Sequence, residues 1–349
     1  MYDMVVIGLG PAGSTFARNI NKNLSVLCID QKNHNNSKFK KNCGGLLNTD
    51  ANKLLSSFKI SVPKKVLADP QLFSVQTIDL NSEIVKTYPR FYINMDRHLF
   101  DMWLISLIPP NVEVVLDSKC TKILRRGNFF EITYRTNGVT KVVKSKNIIG
   151  ADGANSLVRR TFFKEHKIKT YLSIQEWYED KSETPTYSCI FDNTITDSYC
   201  WSLSKDDKFI FGGAFPVKTA KKSFELMKKK LKKYNFKLDN PVKREACLVL
   251  TPEKWGDFCC GSKNIYLIGE AGGFISPSSL EGISHGFKTG YALSENFNRG
   301  KNILRGYERD CIKIKLYILS KKMRMPFMYN RKMRKLVMKS GLTTLKMKK

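Results

Sequence analysis

Near its start the chain carries the glycine pattern Gly-Leu-Gly-Pro-Ala-Gly at residues 8–13. An apolar run at residues 4–7 suits a buried strand, residues 14–21 can form a helix, and a second apolar segment leads to Asp30. In a βαβ unit such glycines let the backbone turn and approach a pyrophosphate, while the acid binds a ribose. A helix-capping glycine turn is the alternative, but it does not explain Asp30. The predicted dinucleotide contacts are Gly8, Gly10, Pro11, Ala12, Gly13 and Asp30.

Length and residue types restrict the class of protein. The 349 residues suit one large α/β domain with a second layer. The first apolar run is too short for a signal peptide or a membrane span, so we expect a cytoplasmic protein. Nine cysteines without a C-x-x-C pair argue against a disulfide framework and a zinc site. The histidines His34, His98, His166 and His285 are scattered, which argues against hydrolases and metalloenzymes, and His285 is predicted to lie on a helix surface.

The chain is strongly basic, with a formal net charge of +29 at pH 7. An AT-rich coding bias would explain part of this excess, because lysine, asparagine and isoleucine are abundant throughout. From Lys301 onward, however, basic residues alternate with apolar ones, and Glu308 and Asp310 are the only acids. This pattern predicts basic amphipathic helices over residues 301–349 that contact an anionic membrane surface. Nucleic-acid binding is not expected, since no recognition motif accompanies the charge.

Two later segments have the character of further nucleotide contacts. A flavin adenine dinucleotide (FAD) is longer than one βαβ unit can enclose, so a flavoprotein requires such segments. Residues 147–160 pass from an apolar strand into a turn that contains Asp152. Residues 264–274 do the same and place Glu270 where a carboxylate could bind the ribityl hydroxyls. The second segment continues through Pro277 to Glu281, Gly282 and Ile283.

Two more motifs point to a family. Residues 41–46 read Lys-Asn-Cys-Gly-Gly-Leu, and residues 94–101 read Asn-Met-Asp-Arg-His-Leu-Phe-Asp. With the nucleotide segments, they resemble the K-P-C-G-G and D-R-x-x-F-D motifs of the geranylgeranyl reductase-like flavoproteins, and the chain is most similar to the bacterial CbrA proteins. The resemblance implies an FAD cofactor. It also implies cofactor contacts from two groups of residues. One group is Lys41, Cys43, Gly44, Gly45 and Arg97, and the other is Asp152, Gly153, Gly269, Glu270, Gly282 and Ile283.

Two positions depart from the family motifs. Glu270 replaces an aspartate, which keeps the charge but adds a methylene, so the resemblance implies a slightly displaced ribityl chain or a bridging water. Asn42 replaces a proline and restores an amide donor. The family places Cys43 beside the isoalloxazine, where it would orient substrate or supply a proton. The competing interpretation is that Cys43 only fills a small space before the two glycines.

Residues 170–255 differ in character, since they are rich in aromatic and β-branched residues. The strands predicted there cover residues 171–178, 187–193, 198–204 and 209–214. In the family an antiparallel sheet covers the reactive face of the flavin and walls an apolar cavity. Tyr199 and Trp201 resemble the opening of the family's Y-x-W-x-F-P segment and are the predicted substrate contacts, although without the resemblance they suit half-buried sheet positions better.

The resemblance implies an α/β fold with a Rossmann-like FAD-binding domain of the glutathione reductase and aromatic hydroxylase type. That domain would comprise residues 1–165 and 256–300, with an inserted antiparallel sheet domain at 166–255 and a helical region at 301–349. The implied activity is hydride transfer from flavin N5 to a carbon–carbon double bond of an isoprenoid or another apolar substrate. A flavin monooxygenase and a flavoprotein that only binds isoprenoid lipid are the alternatives. The electron donor is unidentified, and Cys43, a tyrosine or water would supply the proton.

Overall fold

The computed structural model describes residues 1–33, 43–179 and 185–345. Its strands are β1 (Tyr2–Ile7), β2 (Val26–Ile29), β3 (Leu46–Leu47), β4 (Leu72–Asp79), β5 (Ile84–Asn94), β6 (Val112–Val115), β7 (Ser118–Arg126), β8 (Phe129–Thr136), β9 (Val139–Gly150), β10 (Thr170–Glu179), β11 (Thr186–Phe191), β12 (Cys200–Lys205), β13 (Lys208–Pro216), β14 (Lys243–Leu250), β15 (Gly261–Ser262) and β16 (Ile265–Leu267). Its helices are α1 (Pro11–Asn19), α2 (Thr49–Ser57), α3 (Arg97–Ser106), α4 (Leu157–Phe162), α5 (Ala220–Leu231), α6 (Ile283–Arg299), α7 (Ile303–Lys322), α8 (Met325–Tyr329) and α9 (Arg331–Ser340).

The chain divides into two compact units. The first unit takes Met1–Lys40, His98–Lys169 and Leu250–Lys321, and the second takes Lys41–Arg97, Thr170–Val249 and Lys322–Lys349. The predicted boundaries differ from these because residues 43–97 supply β3, β4 and β5 to the second sheet. The predicted C-terminal region is also divided between the two units, with most of α7 in the first and α8 and α9 in the second.

The sheet of the first unit has the order β15-β16-β9-β1-β2-β6, and β8 joins β9 to β7. β1 runs parallel to both β9 and β2, as expected of a βαβ unit. Its side chains alternate between two apolar clusters, since Met4 packs with Phe16 and Leu293 while Val5 packs with Ile132. β1 is therefore buried on both faces, which explains its apolar sequence.

The sheet of the second unit has the order β14-β10-β13-β12-β11-β4-β5-β3. β10, β11, β12 and β13 confirm the four predicted strands, and their pairs are antiparallel. β4 pairs with β11 in parallel, with Val75 opposite Tyr187. One face packs against α5 through Phe211, Phe215 and Phe224.

The C-terminal helices are anchored to their units by named contacts. Tyr307 and Ile318 of α7 lie in the apolar core of the first unit, and the Tyr307 hydroxyl donates to the Leu267 carbonyl at 2.9 Å. Arg334 of α9 is 3% exposed and donates to Asp79 Oδ1 of β4 at 2.8 Å. None of the helices in the described part of the chain is both long and apolar enough to cross a membrane.

Candidate functional site

The turn between β1 and α1 confirms the predicted glycine geometry. Gly8 has a φ of +97°, and its N–H donates to the Ile29 carbonyl at 2.9 Å. A Cβ at Gly13 would lie only 2.0 Å from the Gly8 carbonyl oxygen. The first and third glycines are therefore required by the fold itself, because side chains at these positions are strained or collide with backbone.

Gly10 has different surroundings. It precedes α1 with a φ of −72°, and no side chain caps the first turn of the helix. A Cβ at Gly10 would meet no described atom within 4 Å. The start of α1 therefore has no side-chain cap and has open space beside Gly10, two features of a helix terminus that can bind a pyrophosphate.

Asp30 lies at the end of β2, where the sequence predicts a ribose contact. Its Oδ2 accepts from the Leu9 N–H and from Lys32 Nζ, the latter at 2.9 Å. Its Oδ1 accepts from the Lys32 N–H at 2.7 Å. A carboxylate has about four acceptor positions, so these three bonds leave one on Oδ1 for a ribose hydroxyl.

Lys32 is a member of the site that sequence reasoning missed. It is 4% exposed, and Nζ also lies 3.7 Å from Asp101 Oδ2. Buried ions are stable only when they are paired, so Lys32 neutralises the carboxylate that the ribose would contact. Its position two residues after Asp30 was the one available signal, but no motif assigns a role to that position.

The turn after β9 places Asp152 at the start of α4. Asp152 Oδ2 accepts from the N–H groups of Leu157 at 2.6 Å and Val158 at 3.4 Å. Among the described residues, its buried Oδ1 has no hydrogen-bond partner. Burial raises the pKa of Asp152, and the bonds from Ser156 and the backbone oppose that shift. Asp152 thus supports the turn, as predicted, and its Oδ1 is an acceptor without a partner in the described part of the chain.

Glu270 lies in the short 3-10 helix Gly269–Gly272, close to the Asp152 turn. Arg159 connects the two segments, because its guanidinium donates to the carbonyls of Ala271 at 2.7 Å and Ala154. Glu270 Oε1 accepts from the Leu250 N–H at 3.1 Å. One carboxylate oxygen thus binds the backbone at the end of β14, and Oε2 lies 4.0 Å from the position that a Cβ at Gly153 would take.

Helix α6 follows this segment. The two predicted contacts lie at its start, since Gly282 precedes the helix and Ile283 is its first residue. The Gly269 N–H donates to Thr289 Oγ1 at 2.9 Å, which fixes the 3-10 helix on α6. The prediction that His285 lies on a helix surface is wrong: its side chain is fully buried, because this face of α6 packs inward, and its ring lies 6.0 Å from that of Tyr317.

In the second unit, the Cys-Gly-Gly turn lies against β12. The Gly45 N–H donates to Cys43 Sγ at 3.4 Å, and a Cβ at Gly44 would lie 3.5 Å from Leu203 Cδ2. Lys41 lies outside the described residues. Arg97, the other predicted contact of this unit, is the first residue of α3 and is partly exposed.

Lys205, at the end of β12, forms hydrogen bonds that fix this turn. Sequence reasoning also missed this residue. Its Nζ donates to Asn94 Oδ1 and to the Met95 carbonyl at 2.6 Å each, and more weakly to the Gly45 carbonyl at 3.5 Å. Burial lowers the pKa of Lys205 to about 8, and the nearby Cys43 and Asp96 oppose that shift. A buried lysine with this pKa loses its positive charge at a pH only slightly above the physiological value.

Of the two predicted substrate residues, Trp201 lies on the same strand as Lys205, and Tyr199 directly precedes that strand. Tyr199 and Trp201 are buried, with ring centroids 5.7 Å apart. Trp201 pairs with Cys189 across the sheet, and its indole covers the backbone of Gly212. Among the described residues the buried Trp201 Nε1 has no hydrogen-bond partner.

The predicted residues therefore form one group in each unit. The first unit brings together Gly10, Asp30, Asp152 and Glu270 on adjoining turns. The second unit brings the Cys43 turn beside Leu203 and the aromatic end of β12. All nine cysteines lie in the described chain and are free, and the described residues contain no group of side chains suited to a metal ion.

Comparison with known proteins identifies the family. No family model matches the chain. The chain is 43% identical over 343 residues to protein CbrA of Escherichia coli O6:H1. The aligned residues cover 98% of this chain and 94% of that protein. The chain belongs to the CbrA family. This confirms the resemblance found in the sequence.

Solved structures share the fold of this CbrA-family chain. A geranylgeranyl bacteriochlorophyll reductase-like protein from Thermoplasma acidophilum superposes with a TM-score of 0.77 at 18% identity, over 96% of this chain and 90% of that one. PqsL of Pseudomonas aeruginosa, described as "a probable FAD-dependent monooxygenase", superposes with a TM-score of 0.69 at 12% identity. The superposition covers 97% of this chain and 99% of that one. The CbrA-family chain therefore has the α/β fold of these proteins, as predicted.

Proposed function

We propose that this protein is an FAD-dependent oxidoreductase that reduces carbon–carbon double bonds of an isoprenoid or another apolar substrate. The observation that carries the proposal is the open space at Gly10, in front of the uncapped first turn of α1. An anion binds favourably at such a helix terminus, and Asp30 has a remaining acceptor for the adjoining ribose. The protein shares its fold with flavin-dependent enzymes, and we therefore propose FAD as the bound dinucleotide.

The residues of the first unit would hold the cofactor. Gly10 and the start of α1 receive the pyrophosphate, and Asp30, neutralised by Lys32, receives the adenosine ribose. Asp152 Oδ1 and the Glu270 carboxylate would accept from hydroxyl groups of the ribityl chain. When bound and reduced, FAD supplies a hydride to one carbon of the double bond.

The residues of the second unit would serve the substrate. Tyr199, Trp201 and Leu203 present an apolar, largely aromatic surface that suits a hydrocarbon chain and excludes water. Reduction of the double bond requires a proton on the neighbouring carbon after the hydride has been delivered. The Cys43 thiol beside this surface is a suitable donor, and Lys205 fixes the backbone that carries it.

The experiment begins with purified protein and its absorbance spectrum. Bound FAD gives a yellow protein, and absence of flavin binding in any preparation would contradict the proposal. The flavin is then photoreduced without oxygen, and polyprenyl lipids are added. A reductase reoxidises at a rate that depends on lipid concentration, and mass spectrometry shows a product two hydrogen atoms heavier.

The two alternatives give other results. A flavin monooxygenase consumes oxygen in proportion to substrate and adds an oxygen atom to the product. A lipid-binding flavoprotein retains the lipid, yet its reduced flavin reoxidises at the same rate with and without it. The electron donor is tested separately, by mixing the oxidised protein with NADPH and following the loss of flavin absorbance.

A further inference from the structure

The outer face of α9 is a compact basic surface. Lys332, Lys335, Leu336 and Lys339 follow the i, i+3, i+4, i+7 spacing and so lie on one side of the helix. All four are exposed, and Leu336 is 66% exposed. We name these four residues the α9 basic face. The opposite side of the helix is buried through Arg334 and Met338.

Contacts on the buried side hold the α9 basic face in place. The Arg334 guanidinium donates to Asp79 and Asn193, each at 2.8 Å, and to the Met328 carbonyl at 2.7 Å. The Asn330 side chain accepts from the first N–H groups of the helix. The lysines therefore project from a helix that is already folded, so binding to a surface requires little further ordering.

The charge of this face is not neutralised within the described chain. None of its three lysines lies within ion-pair distance of a described acid, whereas on α5 Lys228 pairs with Glu176 and Lys230 pairs with Asp192. The sequence contains no Asp or Glu after Asp310. A coding bias explains the number of lysines, but it does not explain their segregation from acids on one face.

Exposed apolar side chains accompany the lysines. Besides Leu336, Leu342 is 73% exposed just beyond the end of α9, and Phe327 of α8 is 49% exposed. Lysines that surround exposed leucine and phenylalanine are typical of helices that lie in the interface of an anionic bilayer. A nucleic acid would use the charges but would leave the apolar side chains in water.

We infer that the α9 basic face docks the protein on an anionic lipid bilayer. The lysine ammonium groups contact the lipid phosphates, and Leu336 enters the boundary between head groups and acyl chains. This inference does not depend on the proposed reaction, because binding to a bilayer is measured without turnover. If both are correct, docking brings the protein to the phase in which an isoprenoid is dissolved.

The experiment measures co-sedimentation of the full chain with vesicles of equal parts phosphatidylglycerol and phosphatidylcholine. Changing Lys332, Lys335 and Lys339 together to Gln should weaken binding roughly 100-fold, because each basic residue contributes on the order of a factor of five. Leu336→Ser should weaken it roughly tenfold. Binding of the wild type should fall as salt shortens the Debye length from about 10 Å to about 3 Å.

The matched control changes three exposed lysines of α5, Lys221, Lys222 and Lys229, to Gln, which removes the same charge from another helix. This variant should bind vesicles like the wild type. Point substitutions are preferable to deletion from Met323 onward, because deletion also removes Arg334 and leaves Asp79 buried without its partner.

Three results would overturn the inference. One is equal loss of binding in the α5 and α9 variants, which would make net charge the cause. Another is retention of binding by the α9 variant, provided that its thermal unfolding matches that of the wild type. The third is binding to duplex DNA that the α9 variant loses, without any binding of the wild type to vesicles.

Discussion

Gly10 and Gly13 lie three residues apart, yet substitutions at these positions should act on different properties. At Gly10 a Cβ meets no described atom within 4 Å, and the φ of −72° is accessible to any residue. At Gly13 a Cβ would lie 2.0 Å from the Gly8 carbonyl oxygen, whereas real Cβ atoms essentially never come within 3.0 Å. Gly10→Val should therefore affect the ligand, and Gly13→Ala should affect the fold.

The magnitudes follow from these distances. Gly13→Ala forces the backbone of α1 away from the turn by about 1 Å, and overpacking of this kind costs about 1–3 kcal/mol of unfolding free energy. Gly10→Val should change the unfolding free energy of the flavin-free protein by less than about 1 kcal/mol, because the new side chain displaces only solvent. The same side chain occupies the space predicted for the pyrophosphate, so FAD binding should be abolished.

Two assays on each variant separate the effects. Urea unfolding of flavin-free protein measures stability, and titration with FAD, followed by quenching of the flavin fluorescence, measures affinity. The wild type is the reference in both. FAD affinity of Gly10→Val equal to that of the wild type would refute the assignment of this turn, and a loss of stability as large as that of Gly13→Ala would show that Gly10 is required by the fold.

Three further substitutions test other contacts. Asp30→Ala should weaken FAD binding by about 1.5 to 3 kcal/mol, less than Gly10→Val does, which the same titration measures; a greater loss would reverse the ranking. Because the pKa of Lys205 falls from 10.5 to about 8 on folding, the folded state loses this proton first and gains stability as pH rises. Relative to Lys205→Met, the wild type should gain about 2 kcal/mol between pH 7 and about pH 9.5, and parallel pH profiles in urea unfolding would contradict this. Arg334→Ala should cost about 3–5 kcal/mol of unfolding free energy, because the buried Asp79 loses its ion-pair partner. Asp79→Asn in the same chain should recover part of the lost urea midpoint, and no recovery would show that another contact of Arg334 dominates.

Local sequence was sufficient to predict the βαβ unit. Its strand, turn, helix and second strand fall within residues 2–29, and each is specified by neighbours in the chain. Gly8 and Gly13 had to lie at the turn, because a side chain at either position is strained or collides with backbone. The strands of residues 170–216 were predictable for the same reason, since their alternation and aromatic content are local properties.

Pairings between distant residues could not be predicted. β4 joins β11 through residues 112 apart, Ser74 and Thr186, and no local pattern specifies that pairing. Lys205 reaches the Gly45 carbonyl across 160 residues, so a lysine in a basic chain gave no sign of its role. The burial of His285 was missed because a helix face is inward or outward only according to what packs on it.

The contact between Arg334 and Asp79 spans 255 residues, which has a consequence for synthesis of the chain. At about 5–20 residues per second, the ribosome needs roughly 13 to 50 s to proceed from one partner to the other. During that interval the sheet of the second unit can pair its strands, but the carboxylate of Asp79 has not yet met its guanidinium. The nascent chain therefore has to keep this region hydrated or covered by a chaperone, and the second unit reaches its final stability only after α9 has been made.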